Sequence, residues 1–168
     1  VKQVETLLSE AGNAFVDLEV DKSLNLSKKA LNIAHQINDD VLMAKAYNLI
    51  GLNFEEFYDI KKGVEYYEKA LHHANLSTND SIKCWVYNNL GNVYSYRENN
   101  LKKCITYYKE GLKHAQKIKD STEIMFTNLN ICGAYFGVKD FKSGLPYLES
   151  SKKFIDKRIG RASCRERV

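Results

Sequence analysis

YNNLGNVYSYRENNLKKCITYYKEGL, residues 87–112, contains two short amphipathic runs joined by a polar turn. In the first run Tyr87, Leu90, Gly91 and Tyr94 are spaced three and four apart, which places them on one helical face. In the second, Cys104, Ile105, Tyr108, Gly111 and Leu112 do the same. The polar residues 97–100 separate them. Small residues stand where large ones would normally fill an apolar face: Gly91 on the first helix, Cys104 and Gly111 on the second. Facing small residues let two helices approach closely, so this stretch predicts a helical hairpin.

The rest of the chain repeats the unit. Tyr47, Ile50, Gly51 and Phe54 are followed by Gly63, Tyr67 and Ala70; Asn128, Ile131, Cys132 and Tyr135 are followed by Gly144, Leu148 and Ser151. The first copy is the most worn, with Ala11 and Ala14, then Ser23, Ser27 and Ala30. The anchors Ala11, Gly51, Gly91 and Cys132 lie 40, 40 and 41 residues apart. Each second helix opens with a polar residue and then an apolar one: Glu19-Val20, Asp59-Ile60, Asn100-Leu101 and Asp140-Phe141. Asp and Asn can cap the free N–H groups of a helix start, and Glu19 is a poorer cap.

The spacing Tyr87-x2-Leu90-Gly91-x2-Tyr94 followed by Cys104-x3-Tyr108-x2-Gly111 resembles the tetratricopeptide repeat, in a variant of about 40 residues. Four matches in register cover residues 1–157, with repeats at about 1–38, 39–78, 79–119 and 120–157. The resemblance implies an all-α fold, a right-handed αα superhelix (solenoid) of four helical hairpins. It also implies a protein- or peptide-binding scaffold rather than an enzyme. Similar repeats occur in eukaryotic scaffolds and in bacterial signalling proteins. The alternative is therefore the sensory or regulatory N-terminal region of a signalling protein with a histidine kinase, cyclase or helix-turn-helix output.

The expected helices run over about 2–17, 20–37, 40–57, 60–75, 81–97, 101–118, 121–138 and 141–157, with one extra residue in the third hairpin's turn. Asp40 is read as an N-cap, and Asp120 with Glu123 as a capping box in which Glu123 reaches back. Pro146 cannot donate to residue 142, so the last helix is expected to start late or with a distorted first turn. No stretch approaches the ~18 consecutive apolar residues of a membrane span.

The tail Ile159–Val168, IGRASCRERV, resembles the in-frame translation of a sequencing adapter and is read as a scar; a basic tail for nucleic acid or anionic lipid is the competing reading. Without its three Arg and one Glu the net charge falls from +4 to +2. The chain opens on Val1 rather than Met, so residues are expected upstream, and natural residues are expected past Arg158.

No catalytic constellation is visible. His73 and His114 hold equivalent places near the ends of successive second helices, about one helix diameter apart, too far for shared metal ligation. They read as residues favouring the helix C-terminal dipole. Cys84, Cys104 and Cys132 read as buried thiols filling small gaps, which favours a reducing, cytoplasmic setting. The pairs Lys28-Lys29, Lys61-Lys62, Lys102-Lys103 and Lys152-Lys153 are interspersed with Glu and read as a solvated outer face, so no nucleic-acid partner is expected. No cofactor or metal is implied.

In the family that these repeats resemble, the first helices line a concave groove. Counting from the buried anchors, the groove positions of the second repeat include Lys45 and Asn48, with Leu52, Glu55 and Glu56 beyond. The third offers Trp85, Asn88, Asn89, Asn92, Ser95 and Tyr96; the fourth offers Phe126, Leu129, Asn130, Gly133 and Phe136. The first offers Glu5, Leu8, Ser9, Gly12 and Phe15. Asn is a poor helix-interior residue, so an Asn row costs stability without evident return. Its amide suits the backbone of an extended peptide. Hydrogen bonding between repeats is the competing reading. The family's carboxylate-clamp variant places a Lys ahead of the first Asn; that Lys is absent here, and no clamp is expected.

Each repeat buries its face on the next, so an array needs polar ends. The last helix still shows Leu145, Leu148 and Phe154. The chain expressed alone is therefore expected to self-associate through an apolar end. Light scattering should show a mass rising with concentration, and a monodisperse monomer throughout would refute this.

Overall fold

The computed structural model describes the backbone of residues 1–97 and 100–165, with side chains over 1–96 and 100–155. The chain folds into α1 (Lys2–Val16), α2 (Val20–Gln36), α3 (Asp40–Phe57), α4 (Ile60–Leu76), α5 (Asp80–Asn92), α6 (Leu101–Lys117), α7 (Ser121–Gly137) and α8 (Phe141–Arg165), with a π-helical turn over Val93–Arg97 after α5. There is no strand among the described residues. Each odd-numbered helix packs on the even-numbered one that follows, and each even-numbered helix packs on the next odd one. The first helices also touch their own equivalents, α1 on α3 and α3 on α5, which the second helices do not do to a comparable degree. The first helices therefore sit on the shorter, concave side of the stack.

Glycine facing tyrosine sets the closeness of each pair. A Cβ at Gly51 would meet the Tyr67 ring at 2.7 Å, and a Cβ at Gly91 would run into the Tyr108 ring. Both tyrosines are fully buried. In the worn first repeat Ser27 stands in the ring's place, and Ser23, in the place of Gly63, donates through Oγ to the Ala11 carbonyl at 2.9 Å. Between repeats, Ala30, Ala34, Ala70, Ala74 and Ala115 are wholly buried and let the next hairpin settle on the second helix. Tyr47 packs against both the cluster of the first two repeats and the larger one beyond, joining them into one core.

The turns are closed by one recurring bond. The backbone N–H of Glu19, Asp59 and Asp140 donates to the carbonyl five residues back, on Ala14, Phe54 and Tyr135, at 2.8, 2.7 and 2.9 Å. In the third repeat Asn100 donates to Tyr94, six residues back, at 2.7 Å. The extra residue lies inside that loop. The helix was expected to stay α-helical to residue 97; instead the α-helix stops at Asn92 and the chain widens into the π turn, a usual way for a helix to absorb one inserted residue. Of the residues in that turn, 98 and 99 lie outside the described ones.

Capping followed the chemistry with two corrections. Asp59, Asn100 and Asp140 accept from N–H groups of their helix starts, whereas Glu19 makes no side-chain cap. Asp39, not Asp40, caps α3, accepting from Leu42 N–H at 3.0 Å. Asp40 is already helical, and its Oδ1 lies 2.8 Å from His73 Nδ1. Asp120 caps α7, but Glu123 turns away to the neighbouring repeat, where Asn88 donates to it. Nor does Pro146 delay α8, which starts at Phe141. The carbonyl it deprives, on Lys142, belongs to an exposed first turn where water can serve it. α8 also runs past the expected end near residue 157, to Arg165; no proline follows Pro146, and the one glycine, Gly160, costs a helix only about 1 kcal/mol. The tail read as a scar extends over residues 166–168, outside the described ones.

The histidines do more than favour a dipole. His73 stacks on Tyr47 and pairs with Asp40, and His114 stacks on Tyr87 and pairs with Asp80 at 2.5 Å. Each ties the end of a second helix to the start of its own first helix. The His114 contact holds the Asp80 carboxyl below its usual range.

Gly91→Leu is expected to lower stability by about 1–3 kcal/mol or more, because the Tyr108 ring has no free space to yield. Gly12→Ala, where an added Cβ meets nothing within 4 Å, is expected to raise it by about 0.5–1 kcal/mol. Urea unfolding of the two variants checks the pair, and equal midpoints would refute the packing account.

Candidate functional site

The concave face holds a groove of about 660 Å³. Eight of the nine residues picked from the sequence line it: Lys45, Asn48, Trp85, Asn88, Asn89, Asn92, Phe126 and Asn130. The ninth, Tyr96, lines an adjoining recess of about 280 Å³ with Phe15, Glu55 and Glu56. The π turn carries Tyr96, which is 74% exposed. Trp85 and Phe126, one helix apart, are 46% and 54% exposed, a costly state for large aromatics unless something covers them.

Sequence counting missed Leu49, Ile82 and Glu123, which also line the groove. Leu49 and Ile82 sit beside counted positions on the same helices, so a wider arc would have found them. Glu123 was taken for a capping residue. Phe136, counted as groove, instead lies over Gly144 and edge-on to Phe141, with ring centres 5.1 Å apart. Its place at the last turn of α7 puts it over the hairpin's own second helix.

The asparagines are not the idle row that the sequence suggested. Asn88 Nδ2 donates to Thr127 Oγ1 at 3.0 Å and to Glu123 Oε2 at 3.3 Å, both on the next first helix. Asn89 Nδ2 donates to Asn48 Oδ1 at 2.8 Å, linking α5 to α3. Asn92 Oδ1 accepts from the Tyr108 hydroxyl at 2.7 Å. The helix-propensity cost therefore has a packing return: Asn48, Asn88 and Asn89 bond between repeats, and Asn92 bonds within its own hairpin. Asn130 differs: it is half-buried, and no described residue bonds its amide. Under the floor, Cys84 lies against Glu123, and burial together with that charge pushes its thiol up to about 12. Cys104 and Cys132 are raised by burial as well. These are inert core thiols. No described cluster of three or more His, Cys, Asp or Glu could hold a metal ion, and no described helix is long and apolar enough to cross a membrane.

Stacked hairpins with glycine–tyrosine packing and a concave face of first helices define a tetratricopeptide-type helical-repeat fold. Solved structures agree. BtubC (BKLC) from P. vanneervenii superposes with a TM-score of 0.79 at 19% identity, over 94% of this chain and 65% of that one. The apo form of RapI gives 0.83 at 16% identity, over 99% of this chain and 60% of that one. MamA protein gives 0.56 at 14%, over 95% of each chain. The chain thus spans less than two thirds of the length of the first two. No family model and no curated protein sequence matches it.

Asn88→Ala is expected to lower stability by about 1–3 kcal/mol, since it strips Thr127 and Glu123 of their donor and opens space over Gly111. Asn130→Ala is expected to leave stability equal or a few tenths of a kcal/mol higher. Thermal unfolding separates the two; equal losses would refute the division of roles.

Proposed function

We propose that the chain is a non-catalytic protein-interaction module whose groove holds an extended peptide segment. The observation that carries this is the convergence of Lys45, Trp85, Phe126 and the asparagines on one concave surface. The walls are largely apolar, two large aromatics stand open, and Asn130 offers both a donor and an acceptor to a peptide backbone. Asn48, Asn88 and Asn89 line the groove while joining neighbouring repeats, and Asn92 lines it while joining the two helices of its own hairpin, so their role is to shape the floor. Tyr96 flanks the neighbouring recess as a further aromatic contact.

The outer lysines support a protein rather than a nucleic-acid partner. They are exposed but interleaved with acid: Lys113 lies 2.6 Å from Glu110, and Lys69 shares its turn with Glu65 and Glu68. Others are engaged with aromatics, as when Lys103 Nζ donates to the Tyr94 hydroxyl at 2.6 Å and lies 3.9 Å from that ring centre. The proposal leaves residues 159–168 out of the module, on their resemblance to an adapter translation.

Selection from a displayed peptide library against the full chain tests the reading. Enriched peptides are expected to compete with one another and to lose at least tenfold in affinity on Trp85→Ala or Phe126→Ala, since a central aromatic anchor is typically worth about 2 kcal/mol or more. Binding indifferent to both substitutions would refute the groove.

A further inference from the structure

The joint between the first hairpin and the rest of the stack differs from the later joints. Two residues past the packing anchor, α3 carries Asn53 where the next two first helices lead to Val93 and Ala134, and all three side chains are buried. On α2, Ser23 holds the place of Gly63, Cys104 and Gly144. Asn53 Nδ2 donates to Ser23 Oγ at 2.9 Å and to the Leu49 carbonyl at 2.8 Å, and Ser23 Oγ donates to the Ala11 carbonyl. A chain of hydrogen bonds thus runs from α3 through α2 to α1. It is incomplete, because no described residue bonds Asn53 Oδ1 or Ser27 Oγ, although both atoms are buried. Two further polar ties across the joint, Tyr58 hydroxyl to Asp21 at 2.9 Å and Tyr47 hydroxyl with His35 at 3.1 Å, are exposed to water. Of the twelve largest fully buried side chains, only Val4 belongs to α1 or α2. Small residues, Ala30, Ala34 and Ala46, make up much of the cluster under this hairpin. α2 also starts without a side-chain cap, at Glu19. Yet α1 supplies one wall of the groove, through Glu5, Leu8 and Ser9.

We propose that the α1–α2 hairpin is a gate: it opens as one unit while α3–α8 stay folded, and on closing it rebuilds the α1 wall of the groove. In a stack of repeats each unit touches only its neighbours, so an end hairpin can leave without disturbing those beyond the next one. A single hairpin cannot bury its apolar face alone, so leaving the stack and losing its helices are one event. In the open state Asn53 Oδ1 and Ser27 Oγ regain water. Each buried polar atom short of a partner shifts the balance towards opening by about five- to a hundredfold. The bonds from Asn53 through Ser23 to Ala11 are directional, and they return the hairpin to a single register when it closes. With α1 away, the groove lies open along α3, and an occupant enters from the side. An occupant that touches Glu5, Leu8 or Ser9 then holds the gate shut. The gate follows from the joint itself and stands whether or not the occupant is a peptide.

Native-state hydrogen exchange of the full chain, read helix by helix by mass spectrometry, tests the gate. Amides of α1 and α2 are expected to exchange together, at least about tenfold faster than those of α4 and α6. The double variant Ser23→Ala with Asn53→Val gives the first joint the apolar contact of the later ones. It is expected to slow exchange in α1 and α2 by about five- to tenfold and to leave α4 and α6 unchanged. Glu19→Asp, on the surface, supplies the kind of cap that Asp59 and Asp140 provide, and it leaves the packing untouched. It is expected to slow the same two helices by about threefold or more. Fast exchange confined to α1, with α2 as protected as α4, is fraying of an end and overturns the gate. Protection of α1 and α2 equal to that of α4 and α6 overturns it as well. So does a variant that slows all the helices alike, because exchange then passes through unfolding of the whole chain.

Discussion

The structure depends on a tyrosine ring laid over the space left by a missing side chain. Tyr67 over Gly51 and Tyr108 over Gly91 bring the two helices of a hairpin closer than two ordinary apolar faces would allow. The ring fills the gap fully, so the core keeps the density of a well-packed interior. A glycine in a helix costs about 1 kcal/mol in backbone freedom, and burial of a large aromatic more than offsets it. At the two ends of the array the device fades: Ala11 and Ser23 use a hydroxyl bond instead, and Ser151 Oγ donates to the Met125 carbonyl at 3.1 Å.

Close pairing fixes where each hairpin turns, and the turn fixes how the next element leaves. The carbonyl at the last aromatic or small position of each first helix takes the N–H of the second helix's cap, whatever the length of chain between them. That constancy explains why a repeat one residue longer keeps its register. The surplus goes into the π turn over Val93–Arg97, which presents Tyr96 to solvent beside the groove. The histidine–aspartate contacts at the opposite end of the second and third hairpins complete the frame.

The concave face carries both side chains that join the repeats and side chains that stand open. Asn88 and Asn89 hold α5 to its neighbours on either side, which makes the floor rigid and presents it as a fixed surface. Trp85, Phe126 and Asn130 rise from that floor without comparable intramolecular use. A groove pre-shaped in this way has little conformational entropy left to lose when a segment lies in it, which favours affinity from few contacts.

The sequence alone determined the repeat, its period and its helical hairpins, because these follow from local rules: apolar spacing, small residues at fixed offsets, and polar caps before each second helix. Periodicity from a buried anchor also placed most of the side chains that face the groove, though it missed Leu49, Ile82 and Glu123 and wrongly included Phe136. Only the tertiary structure decided what the asparagines do, because an amide's worth depends on the donor or acceptor that another repeat brings within 3 Å, and no local pattern encodes that. The same holds for Glu123, whose spacing fits a capping box but whose carboxylate finds a better donor in Asn88. It holds for Asp39 and Asp40 as well: adjacent carboxylates are equivalent by composition, and the imidazole of His73, 33 residues away, claims the second. Where a residue's neighbours are set by the chain itself, sequence suffices; where they arrive from another repeat, only packing tells.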